Sequence, residues 1–155
     1  MNQIPKCTLV PTRFIDEKDP RCFLSEVATI SENDQIETLE VQEYDATLVY
    51  VKTDDGVPEL YKVLKALSKC SEYNKILASY VNGFLHLAIA QGDSLVFSNV
   101  FPASDFTTAE YFLFAALKNL QINPEVSTVS FGSRLEQEEE MSLYTYFNSV
   151  EQITL

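Results

Sequence analysis

The chain has 155 residues, 46% of them apolar, with ten Phe, eight Tyr and few Gly or Pro, a composition that excludes disorder and can bury a core without metal or disulfides. Eleven basic against twenty-three acidic residues leave a formal charge of −12, which offers nucleic acid no basic footprint and repels anionic membrane surfaces. Cys7, Cys22 and Cys70 are widely spaced and form no ligand set, so they are read as reduced thiols. The N-terminal MNQIPKC lacks a basic stretch followed by an apolar core, and no apolar run approaches the roughly eighteen residues of a membrane span. The cytoplasm is the expected location.

In chain order, Thr8-Leu9-Val10-Pro11 reads as a short strand ended by proline, and Thr12 to Asp16 as a turn or short helix that Pro20 interrupts. Cys22 to Ala28 predicts a helical turn carrying Cys22, Phe23 and Val27 inward, and Ser31 to Gln35 a polar loop. Ile36 to Glu43 alternates like an edge strand, whereas Ala46 to Val51 is continuous and β-branched, as a strand buried on both faces would be. Asp54-Asp55-Gly56 ends it. Pro58 then occupies a first helical position, and Leu60, Val63, Leu64 and Leu67 mark an amphipathic surface helix.

Residues 76 to 102 hold three apolar runs, ILASYV, FLHLAIAQ and SLVFSNVFP, joined by Asn82-Gly83 and Gly92-Asp93. Such dipeptides supply the positive φ of hairpin turns, so an antiparallel meander follows, its middle strand covered on both faces. Ser104 and Asp105 are cap candidates, and Thr107 with Glu110 has capping-box spacing, for a helix to about Gln121 that is apolar on almost every side and therefore expected to be buried all round. Val126 to Phe131 is a strand stopped by Gly132; Ser133 is the expected cap of a helix with Met141, Tyr144 and Phe147 inward, and Val150 to Leu155 a last strand. The second half is thus β-β-β-α-β-α-β, a mixed α/β architecture. The whole is taken as one domain, residues 1–70 a partial N-terminal lobe and 71–155 the core.

That order is the order of a ribonuclease H-like half of an actin-like ATPase. With TLVP at Thr8 to Pro11, SNVF at Ser98 to Phe101, and Asp105 leading its aromatic-rich helix, the chain resembles the bacterial actin-like family known as domain of unknown function 3822. More remotely, the meander is similar to the C-terminal domains of cell-division and pilus-assembly actin homologues. The resemblance implies a further N-terminal actin-like half that this chain begins too late to contain, so no complete two-lobed nucleotide cleft is expected in it.

The resemblance also sets a chemical test. An actin-like ATPase needs a carboxylate at the end of the first strand and backbone N–H groups in the hairpin, to hold Mg²⁺ and phosphates. Ser79-Tyr80-Val81-Asn82-Gly83 offers no carboxylate, and a ribonuclease-type two-metal site would need one on the same strand. If any nucleotide position survives, its remnants are Asn82, Gly83 and Gly132, but Asn82-Gly83 is better explained as a plain turn and Gly132 as a strand end. His86, the only histidine, is read as packed or hydrogen-bonded, and the Glu136 to Glu140 cluster as a solvated face rather than a metal site. Asn99 and Asp105, which the resemblance singles out, are read as backbone-bonding and helix-capping.

No catalytic residue, metal ligand or cofactor is assigned. The leading expectation is a non-enzymatic module that binds a protein partner or self-associates, through exposed sheet edges or apolar surface. The alternative is a nucleotide-binding protein whose cleft a second copy completes. A hydrolase dependent on Asp93 or Asp105 is the weakest reading.

Overall fold

The computed structural model describes residues 5–15, 19–54 and 56–155; Asp16 and Asp55, expected in a turn and at a strand end, lie outside them. The chain builds a three-stranded and a five-stranded sheet. The first holds β1 (Cys7–Pro11), β2 (Ile36–Val41) and β3 (Ala46–Val51) in the antiparallel order β1-β3-β2. Continuous β-branched β3 is therefore central and alternating β2 an edge, as their patterns require. Between them lies α1 (Pro20–Ser25). Pro20 opens this helix rather than interrupting one, because its missing N–H is no loss in the first turn and Asp19 accepts from the Arg21 N–H at 2.9 Å. That phase turns Leu24 into the core and leaves Cys22 and Val27 exposed, contrary to expectation.

The larger sheet begins with the predicted meander of β4 (Asn74–Val81), β5 (Phe84–Gln91) and β6 (Ser94–Pro102). Asn82 and Gly83, at φ 54° and 80°, form the first tight turn. After α3 (Phe106–Asn119) the chain returns as β7 (Thr128–Phe131) parallel to β4, and after α4 (Gln137–Tyr144) as β8 (Ser149–Gln152) parallel to β7. The order is β6-β5-β4-β7-β8. Leu85, Leu87 and Ile89 face Leu113, Leu117, Phe131 and Leu143 on one side. On the other, Leu77, Ala88 and Ala90 meet Val63, Leu64 and Leu67 of α2 (Glu59–Leu67), with Leu48 and Tyr50 of β3 behind them. The amphipathic α2 is thus the layer between the two sheets, with Pro58 as its N-cap.

Three helical details differ from expectation. Only one face of α3, that of Ala109, Leu113, Ala116 and Leu117, is buried; Tyr111 is 68% exposed because no layer covers the outer side. Asp105 caps it, accepting from the Thr108 N–H at 2.8 Å, while Glu110 accepts from the Ser142 hydroxyl instead of closing a box. The capping box belongs to Glu136 and Glu139 at the start of α4, so Ser133 is no cap: its Oγ accepts from the Tyr80 N–H at 2.9 Å, tying β4 to the exit of β7. With α4 starting at Gln137, Leu143 and Phe147 point inward, and Met141 and Tyr144 are exposed.

Candidate functional site

The residues held as nucleotide remnants have different surroundings. Gly83 accepts the Ala103 N–H at 2.8 Å, which fastens the β4–β5 turn to the end of β6, as a structural turn requires. Gly132 donates to Ala78 at 2.8 Å, and a Cβ built on it would meet Leu155 Cγ at 2.5 Å. Leu155 therefore packs directly on that glycine. Asn82 borders a cleft of about 740 Å³ whose walls do not include Gly132.

This cleft runs between the start of α2, the end of β3 and the β4–β5 hairpin. Ser79 and His86 are directly opposite one another across that hairpin, and both are buried. Ser79 Oγ donates to Glu59 Oε2 at 2.5 Å, while Lys62 Nζ stays 3.8 Å from the other carboxylate oxygen. His86 is 4% exposed; its Nδ1 is buried without a hydrogen-bond partner. Burial pushes the imidazole down to about 4, against a smaller opposing pull from the Glu59 charge, so it is neutral at physiological pH. The packed half of the expectation for His86 holds, and the hydrogen-bonded half fails at Nδ1. Glu59 was missed from sequence because a glutamate in a first helical turn is ordinary dipole chemistry; only the crossing of α2 over β4 brings its carboxylate to a strand that has none of its own.

A second cleft, of about 610 Å³, separates β1 from the middle of β6. Here Asn99 does bond backbone, accepting the Val100 N–H at 2.8 Å. That N–H consequently points away from β5, and Pro102, two residues on along the same side, has no N–H. The outer edge of β6 is blunted against strand pairing. At the adjoining helix, Asp105→Ala is expected to lower the melting temperature by about 2–4 °C, with Asp105→Asn restoring most of it, as read by thermal circular dichroism.

Residues 56–150 match the family described as "Protein of unknown function (DUF3822)". The chain belongs to that family. The matched DUF3822 stretch contains α2, the meander, α3, β7 and α4, and with them Glu59, Ser79, Asn82, His86 and Gly132; Thr8–Pro11 and Leu155 lie outside it. Among solved structures, this DUF3822 chain is similar to a Bacteroides thetaiotaomicron protein with an actin-like ATPase fold and unknown function, at 15% identity and a TM-score of 0.75. The similarity covers 96% of this chain and 65% of that one, so the chain spans about two thirds of its neighbour's length. At that identity it shows the fold alone, and the fold is actin-like, of the ribonuclease H-like class. No curated protein matches the chain. Among the described residues no helix is long and apolar enough to cross a membrane, and no three His, Cys, Asp or Glu side chains group as a metal site.

Proposed function

We propose that this DUF3822 chain is a non-catalytic, cytoplasmic binding or assembly module, a single actin-like domain whose nucleotide position is closed. The observation that carries this reading is Leu155 packed against Gly132, the strand end held as a nucleotide remnant, which leaves no open space at that glycine. The absence of any carboxylate from Asn74–Val81 supports it, since the strand itself offers Mg²⁺ no ligand. Residues up to about Cys70 belong with the core through the apolar layer that α2 shares with both sheets. The blunted β6 edge argues against association through that edge, and the charge of −12 favours a protein partner over nucleic acid, which it repels.

Thermal unfolding with millimolar Mg-ATP, Mg-ADP and Mg-GTP tests the proposal. The expected result is an unchanged midpoint. A nucleotide at a hundredfold its Kd would add about 2.7 kcal/mol, several degrees for a domain of this size, and such a rise would overturn the closed-site reading. If that rise came with a doubled mass in light scattering, the cleft completed by a second copy would replace it.

A further inference from the structure

We propose that the cleft between α2 and the β4–β5 hairpin binds a small organic cation, an alkylammonium or guanidinium compound, through the Glu59 carboxylate and the imidazole of His86. The inference rests on the binding-module reading for its purpose, and on the cleft's own chemistry for its ligand.

A buried polar atom without a partner costs about 1–3 kcal/mol and calls for a group that completes it. His86 Nδ1 is such an atom, and its ring borders a cleft whose volume lies within the range of small-molecule sites. The neutral imidazole carries one N–H and one lone pair; in the tautomer with the lone pair on Nδ1 it accepts from a donor, and it does not repel a cation. Beside it, the Glu59 carboxylate has about four lone-pair directions; Ser79 uses one, and Lys62 at 3.8 Å is too far for a hydrogen bond. Two acceptor-bearing side chains on the walls of one cleft, one of them charged, select a ligand rich in N–H donors.

Charge excludes the opposite class. Asp34, Asp54 and Glu59 on the walls outnumber Lys6 and Lys62, in a chain of net charge −12, so a phosphate or carboxylate would enter against the field. The uncapped N-terminus of α2 does not reverse this, because Glu59 in the first turn already supplies the negative charge that the helix dipole favours. Leu60, Val81 and Phe84 line the same space and suit an apolar stem behind the cationic head.

His86 is the only histidine, so its ring nitrogens give unambiguous NMR signals. The test titrates n-butylamine and agmatine into the ¹⁵N-labelled chain at constant ionic strength, with 1-butanol and inorganic phosphate as controls. Saturable shifts of the His86 nitrogens with both amines are expected, and not with the controls. Glu59→Gln should weaken both about tenfold or more, the effect of losing one charged hydrogen bond. Lys62→Met, at a half-exposed side chain that the fold does not need, should tighten binding several-fold by removing the competing cation, and it keeps the test decisive should Glu59→Gln not fold. Saturation by phosphate, shifts that grow linearly with amine, or Lys62→Met binding no tighter would each overturn the proposal. None of these results touches the Mg-nucleotide midpoint, so failure here is distinguishable from failure of the closed-site reading.

Discussion

Phe131→Ala is expected to destabilise the fold by about 3–5 kcal/mol, the cost of emptying a large aromatic site in a close-packed core. Phe131 is 1% exposed, the last residue of β7, and packs tilted against Phe106 with ring centroids 6.0 Å apart. It lies in the cluster that α3 and α4 form with the sheet, where Leu85, Leu113 and Leu143 surround it. Because β7 is held between β4 and β8 by parallel pairing, its backbone cannot move inward to fill the void. For a domain whose total stability is of order 5–15 kcal/mol, this is a large fraction. Denaturant unfolding measures it, and a loss below about 1 kcal/mol would mean that the core collapses around the site. Phe131→Leu should recover part of the loss by refilling volume.

Between pH 6.5 and 4 the protein is expected to lose about 3 kcal/mol of stability through His86 alone, at about 1.4 kcal/mol for each pKa unit. The folded imidazole titrates at about 4, against 6.5 for an unperturbed histidine, because burial disfavours its charged form. The unfolded chain therefore takes up a proton in this window that the folded chain refuses. Stability is full above pH 6.5, declines as pH falls, and the decline from this group ends below about pH 4. Glu59, on α2, is the charged group acting on the ring and opposes the shift only in part. Carboxylates titrate near the lower end, so the readout is a difference: from pH 7 to 5, wild type should lose about 2 kcal/mol more than His86→Gln. Parallel stability curves for the two would show that water reaches the imidazole freely.

The meander was legible because its signals are local. Asn82-Gly83 and Gly92-Asp93 lie between runs of strand length, and positive φ at Asn82, Gly83 and Gly92 is what those residues tolerate. The buried face of α2 followed in the same way from the spacing of Leu60, Val63, Leu64 and Leu67, and the central place of β3 from its unbroken β-branched run. Helix phase was less legible. Nothing in the apolar composition of α3 states that only one side meets the sheet, and moving the start of α4 from Ser133 to Glu136 was enough to exchange Met141 and Tyr144 for Leu143.

By itself, then, the sequence determined the fold class, the element order, the charge and the lack of a carboxylate on the first strand of the larger sheet, all of which depend on neighbours within a few residues. The tertiary structure alone decided which polar groups converge. Glu59 reaches Ser79 across 20 positions of chain, Ser133 reaches Tyr80 across 53, and Leu155 closes over Gly132. Such meetings depend on how helices cross and sheets stack, and local propensity carries no term for separations of that size.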